Sequence, residues 1–193
     1  MIKPNVQLLL TGNELMTGDI VDSNSAMVAQ KLKELGLEVS RKVTIADDLA
    51  LLVHEINHLA EHADILIING GLGPTIDDLT AQALAKATGV ELAEHPKALE
   101  HLTIWCKKRG AKLNTPNLKQ TILPKNCSII PNNQGSAVGF KVRHLNCDIY
   151  CTPGVPSELK VMLTEQIAPD IAKDLPNELI SDVTRLQVFG LGE

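Results

Sequence analysis

Two hydrophobic periodicities alternate along the first half of the chain. Unbroken apolar runs, "VQLLLTG" (6–12) and "DILIING" (64–70), end in glycine, as strands covered on both faces do. Between them "LEVSRKVTIAD" (37–47) alternates and is rich in β-branched residues, which predicts a further strand. Helical spacing follows each strand. After a polar loop over 11–22, Met27, Val28, Leu32 and Leu35 share one face of "SNSAMVAQKLKELG" (23–36), with Gly36 as the stop signal. "DDLALLVHEINHLAEHA" (47–63) is amphipathic, and "DDLTAQALAKATG" (77–89) reads as the helix after the 64–70 strand. Three strand–helix units in succession imply right-handed crossovers and a doubly wound parallel sheet.

The second half changes pattern. "PKALEHLTIWCKKRG" (96–110) is helical, whereas 127–154 is rich in turn residues and predicts short strands with hairpins. "PSELKVMLTEQIAPDIAKDL" (156–175) reads as a closing helix, and "LISDVTRLQVFGLGE" (179–193) starts a strand after a Pro/Asn break. The expected architecture is α/β and Rossmann-like, with a mostly parallel sheet over 1–175. Residues 176–193 form a connecting tail that could open a further domain. No internal repeat or low-complexity tract is present.

Composition narrows the function classes. The chain has 193 residues, enough for a substantial core, and 44% of them are hydrophobic. Trp105, Tyr150, Phe140 and Phe189 are its only aromatics, so the core is aliphatic and no base-stacking surface is available. Net charge is −5, with no Lys/Arg run longer than Lys107-Lys108-Arg109, which argues against nucleic acid as a partner. No apolar segment has membrane-spanning length, and "MIKPNVQLLLTGNE" turns polar too soon for a signal peptide. Cys106, Cys127, Cys147 and Cys151 lack the close pairing of a zinc site and read as small buried hydrophobes. A reduced, cytoplasmic setting without membrane partners is the expectation.

In open α/β sheets, ligands sit outside the carboxyl ends of the strands. The loops there are 11–22, 46–48, 69–78, 131–139 and 152–158, and they hold much of the glycine and several acids. In "INGGLGPTIDDLT" (68–80), Gly70, Gly71 and Gly73 let backbone approach a ligand, and Pro74 stiffens the turn. A helix start there would attract an anion, yet it carries Asp77 and Asp78. Two readings remain. Thr75 could cap the helix, with Asp78 completing a capping box and Asp77 favouring the dipole. Alternatively, with Glu14 in "TGNELMTGD", Asp19, Asp22 and the Asp47-Asp48 pair, the acids could surround a cation. Mg2+ binds through one or two carboxylates plus substrate phosphates, which reconciles carboxylates with a phosphate cradle. Asp22 and Asp48 look like helix-start residues.

"PNNQGSAVGF" (131–140) and "TPGVPSEL" (152–159) are further loops able to cradle a sugar, a base or a phosphate. "HEINH" (54–58), extended by His62, matches the zinc-protease pattern HExxH. At about 100° per residue, however, His54, His58 and His62 fall opposite the stripe of Leu52, Ile56 and Leu59, toward solvent. No GxSxG elbow or cysteine-nucleophile signature points to covalent catalysis.

Taken together, "TGNELMTGDIVDSN", "GGLGPTIDDLT", "TPNLKQ", "NNQGSAVGF" and "TPGVPSE" resemble the N-terminal domain of the competence/damage-inducible CinA family. That domain is similar to the molybdopterin-binding domain of molybdenum-cofactor biosynthesis proteins. The resemblance implies a three-layer α/β/α sandwich and a divalent-metal-dependent ADP-ribose pyrophosphatase that yields AMP and ribose 5-phosphate. It implies a dimer or trimer acting on a small nucleotide. Gly70, Gly71, Leu72 and Gly73 would offer N–H groups to the diphosphate. Asp47, Asp77, Asp78 and Glu14 would hold Mg2+ or a similar ion and orient water. Thr75, Asn13, Gly135, Gly139, Pro153, Gly154, Ser157 and Glu158 would contact the rest of the substrate. Two departures stand out. The family reads Gly-Asp-Glu where this chain has Gly12-Asn13-Glu14, and many members continue into a nicotinamide mononucleotide deamidase domain beyond "FGLGE". An amide is the weaker metal ligand, so two rival readings stay open: a nucleotide- or pterin-binding module without turnover, and adenylyl transfer to a pterin.

Overall fold

Six strands share one sheet in the computed structural model, which describes residues 3–176. Their spatial order is β2 (Val39–Ile45), β1 (Val6–Thr11), β3 (Ile65–Asn69), β8 (Cys147–Thr152), β7 (Gly139–His144) and β6 (Ser128–Ile130). The pairs β1–β2, β1–β3 and β3–β8 are parallel; β8–β7 and β7–β6 are antiparallel. Five strands therefore run one way and β7 alone runs against them. The reversal follows from the tight turn at Leu145-Asn146, where Leu145 takes a φ of 55°. Twist-matched two-residue hairpins demand that positive φ.

The sheet is covered on both faces, which explains the unbroken apolar runs. Leu9 on β1 and Leu66 and Ile68 on β3 pack with Leu52, Ile56 and Leu59 of α3 (Leu49–Ala60) and with Ala83 and Leu84 of α4 (Thr80–Thr88). Their neighbours in the strands, Leu8, Leu10, Ile65 and Ile67, point the other way. They meet Val28 and Leu32 of α2 (Asn24–Glu34) and Leu159 and Met162 of α7 (Pro156–Met162). Each fully buried leucine or isoleucine contributes about 2 kcal/mol. The fold is the expected α/β/α sandwich.

Several local expectations need correction. The 11–22 loop contains a short helix, α1 (Asn13–Thr17). The helix expected from residue 77 begins at Thr80. Between α4 and β6 the chain forms an unforeseen antiparallel ribbon, β4 (Leu92–Glu94) with β5 (Ile122–Pro124). It encloses α5 (Pro96–Lys108) and α6 (Thr115–Leu118). The closing helix widens into a π-helical turn over Leu163–Ile167 before α8 (Ala168–Lys173). Pro169 explains this, because it has no N–H and its ring would press on the Glu165 carbonyl in a regular helix. The strand expected after residue 179, and with it nearly all of the tail, lies outside the described residues.

The histidine helix behaves as its spacing indicates. Asp48 caps it through Leu51 N (2.8 Å), His54 and His62 are exposed, and His58 Nε2 accepts from Arg41 at 2.8 Å. All four cysteines are free and buried. Burial pushes the thiols of Cys127 and Cys147 up to about 11 and about 12. Among the described residues, no helix is long and apolar enough to cross a membrane.

Candidate functional site

From β1 the chain passes first to β2 on one side and then to β3 on the other. That change of direction leaves a crevice outside the carboxyl ends of β1 and β3, where doubly wound folds bind ligands. A cleft of about 540 Å3 occupies it, lined by Thr11, Asp47, the loop from Gly70 to Thr75, Ala137 and the loop from Pro153 to Pro156.

The glycine loop is held in a shape that only glycine tolerates. Gly70 has a φ of 111° and Gly71 a φ of 67°. A Cβ on Gly70 would overlap the Thr11 carbonyl, and one on Gly71 the Thr80 hydroxyl. Gly70 N donates to Thr152 O (3.0 Å), Thr80 N to Gly71 O (3.1 Å) and the Thr80 hydroxyl to Gly70 O (2.8 Å). Gly70 therefore spends its N–H on the sheet, contrary to the expectation that it serves the ligand. Among the described residues, the N–H groups of Gly71, Leu72 and Gly73 make no hydrogen bond. The Pro153–Gly154 loop is fixed beside them by buried amides. Asn69 Nδ2 donates to Pro153 O (2.7 Å), and Asn24 Nδ2 donates to Asn69 Oδ1 (2.8 Å) and Gly154 O (2.7 Å).

The acids reach the same cleft by different routes. Asp77 and Asp78 lie in a turn before α4, so neither they nor Thr75 cap that helix. Thr75 N (2.8 Å) and Thr75 Oγ1 (2.6 Å) donate to Asp78 Oδ2, and the same hydroxyl lies against Asp77 Oδ1. One hydroxyl proton thus serves two carboxylates. The Thr75 hydrogen bond holds the exposed Asp77 carboxyl below the usual range. Lys119 Nζ braces the turn through the carbonyls of Asp78 (2.8 Å) and Thr75. Asp47 accepts from the Thr11 hydroxyl (2.6 Å) and from Asn13 N (3.0 Å), while Asp47 N donates to Asn13 Oδ1 (3.2 Å). Asn13 is thereby a clasp on Asp47 and not part of the cleft lining. Glu14 folds its carboxylate back over Gly12 and lines the cleft. Asp22 accepts from Ser25 N (2.9 Å) and pairs with Lys42 (3.1 Å), a helix-start role as expected.

Glu14, Asp47, Asp77 and Asp78 ring the cleft without converging on one point. Among the described residues, the one trio of ligating side chains with ligand atoms within 4.8 Å of each other is His58, Glu61 and His62, on the solvent side of α3. The donor set in the cleft is all oxygen, which suits Mg2+ better than zinc. Its spread suits an ion completed by substrate phosphates.

The opposite wall depends on Asn132, which is fully buried. Its Nδ2 donates to Ala137 O and Glu158 Oε2 (both 2.7 Å), and its Oδ1 accepts from Gln134 N (3.1 Å) and Gly135 N (3.2 Å). Burial pushes the Glu158 carboxyl up. Of the residues expected to contact the substrate, Pro153, Gly154 and Glu158 line the cleft, whereas Ser157, Gly135 and Gly139 do not. Ser157 is exposed, Gly135 sits behind the Glu158 carboxylate, and Gly139 packs against Met162 in the core. Sequence reasoning passed over Asn132, Asn69, Lys119 and Gln120. The last two stand in the "TPNLKQ" motif, and Asn69 is the one polar residue closing an apolar strand.

With that geometry in place, the likeness to known proteins acquires structural meaning. The chain matches the family described as "Probable molybdopterin binding domain" over residues 7–173. It is 72% identical over its whole length to a CinA-like protein of Colwellia psychrerythraea (strain 34H), of which it covers 45%. The chain thus spans less than half the length of the curated relatives it matches. The crystal structure of the protein CinA with unknown function from Thermoplasma acidophilum superposes with a TM-score of 0.80 at 31% identity, covering 87% of this chain and 98% of that one. The molybdopterin biosynthesis enzyme MoaB from Thermus thermophilus shares the fold, with a TM-score of 0.57 at 15% identity over 92% of this chain and 97% of that one.

Proposed function

From the premise that the chain belongs to the family of probable molybdopterin-binding domains, alongside CinA-like proteins, we propose that it hydrolyses the diphosphate of ADP-ribose with a divalent cation, Mg2+ or similar. One observation carries the reading. Gly71, Leu72 and Gly73, whose N–H groups are unpaired among the described residues, line the same cleft as Glu14, Asp47, Asp77 and Asp78. The N–H groups suit a phosphate and the carboxylates repel one, so a cation between them is what makes the arrangement favourable.

Glu14, Asp47, Asp77 and Asp78 would hold the ion, which supplies charge neutralisation of the diphosphate and a more acidic water. The chain's own groups do the rest. The 71–73 amides take phosphate oxygens, and the Thr11 hydroxyl and Asn13 N keep the Asp47 carboxylate aimed. Lys119 braces the Thr75–Asp78 turn against the charge it carries. A carboxylate facing the nucleophile accepts its proton as water adds to one phosphorus. The bridging oxygen leaves on the other, which gives AMP and ribose 5-phosphate.

The test is incubation with ADP-ribose and a series of divalent metals, with both products quantified. Equal amounts of AMP and ribose 5-phosphate, abolished by a chelator, are expected. The Asn13–Asp47 clasp favours one alternative, a nucleotide- or pterin-binding module without turnover. Tight ADP-ribose binding with no AMP at any metal would establish it, and adenylyl transfer would show itself only with ATP and a pterin together.

A further inference from the structure

The histidines of α3 take no part in the cleft, yet two of them stand with a carboxylate as ligating groups do. One ring nitrogen each from His58 and His62 and a carboxylate oxygen of Glu61 lie within 4.8 Å of one another. The two imidazoles are one helical turn apart, with ring centroids separated by 5.1 Å. Two imidazoles on one tetrahedral zinc, each nitrogen about 2.0–2.1 Å from the metal, have centroids about 5 Å apart. The trio is remote from the glycine loop. The helix starts beside Asp47 at the cleft and runs for 12 residues, about 18 Å, to its other end. That end is its C-terminus, where the helix dipole favours a cation.

Neighbouring groups decide which ring nitrogens carry lone pairs. His62 Nδ1 lies 2.8 Å from the His58 carbonyl, which can only accept, so Nδ1 holds the proton and Nε2 is left to ligate. A backbone carbonyl in this position is a usual way to orient a ligating histidine. The chain there is pinned to the start of β1, because Asn5 Nδ2 donates to His62 O (2.6 Å). Arg41 Nη1 stands 2.8 Å from His58 Nε2, and a guanidinium only donates, so that nitrogen also offers a lone pair. Arg41 is exposed, so water can take over its N–H at little cost.

We infer that His58 Nε2, His62 Nε2 and the Glu61 carboxylate form a site for a divalent transition-metal ion, Zn2+ above all, with Arg41 competing for His58. Two imidazoles and a carboxylate suit zinc and its neighbours, whereas Mg2+ requires oxygen ligands. Ligand atoms on a tetrahedral zinc are about 3.4 Å apart, and rotation of the exposed Glu61 and His62 side chains closes that gap. Water completes the fourth position.

Calorimetric titration of the untagged chain with Zn2+, in excess Mg2+ to occupy oxygen-only sites, tests the inference. The parent should take up Zn2+, and His58→Gln, His62→Gln and Glu61→Gln should each weaken that uptake at least about tenfold. The His54 ring lies parallel to His58 at 6.3 Å and outside the trio, so His54→Gln should bind as the parent does. Arg41→Ala removes the competitor and should bind more tightly. A parent that takes up no Zn2+ beside Mg2+ overturns the inference. So do parental affinity in any of the three ligand variants, an equal loss in His54→Gln, or no gain in Arg41→Ala.

Discussion

Replacing Asp78 with asparagine separates a brace from a metal ligand. Asp78 Oδ2 accepts from Thr75 N at 2.8 Å and from Thr75 Oγ1 at 2.6 Å, and its carboxylate stands over Gly73. Asparagine has the same shape, and its Oδ1 keeps both bonds. What changes is charge: hydrogen bonds to a charged group contribute about 1.5–3 kcal/mol and neutral ones about 0.5–1.5. The turn is only half-buried, so solvent shrinks the difference, and a stability loss of about 1 kcal/mol is expected. For a chain of this size that lowers Tm by about 2–4 °C. Activity responds on another scale. Losing one charge that faces the cation should reduce AMP release at least about a hundredfold and raise the Mg2+ concentration needed. Asp77→Asn should disturb the turn less, because Asp77 is exposed and bonds only the Thr75 hydroxyl. The assay is AMP release across a metal titration, beside thermal unfolding of the same samples. Parental rates and metal requirement in both single variants and in the double variant would reduce the acids to turn braces and refute the mechanism.

Four further outcomes follow from particular contacts. Asn13→Asp keeps the acceptor for Asp47 N and adds a charge, so turnover should rise or the metal requirement fall; an unchanged metal dependence removes position 13 from metal binding. Replacing His54, His58 and His62 together with glutamine should leave hydrolysis unchanged, because they lie on the solvent side of α3, and a large activity loss would overturn that placement. Leu145 is exposed with a φ of 55°, a conformation that costs a non-glycine residue about 1–2 kcal/mol, so Leu145→Gly should raise Tm by a few degrees. Burial raises the Glu158 carboxyl above 4.5, so the folded state holds its proton more tightly than the unfolded state. The stability from that proton is present below 4.5 and lost as pH rises through the folded value. The Tm of Glu158→Gln relative to the parent should therefore climb across that window, and a gap that narrows instead would contradict it.

What could be read from the sequence was set by neighbours along the chain. The runs ending at Gly12 and Gly70 announced buried strands because burial on both faces leaves no polar position, and β1 and β3 formed there. "TIDD" also behaved locally as its pattern suggests, since Thr75 and Asp78 do bond each other. The start of α4 was misplaced because it depends on Thr80 bonding back to the carbonyls of Gly70 and Gly71, partners that a capping pattern cannot show. The β4–β5 ribbon was invisible for a related reason: strands of three residues are too short for a period, and α5 and α6 separate them. The site divides the same way. Acids in loops at strand ends reach the crevice because the sheet carries them there, and Glu14, Asp47, Asp77 and Asp78 line it. Ser157 and Glu158 are adjacent in sequence, yet one faces solvent and the other meets Asn132, which only the packing of the 131–139 loop decides. Gln120 is the extreme case. Nothing beside it in "LKQT" marks it as buried, and its chemistry arises from lying under Leu72 with an acceptor to spare.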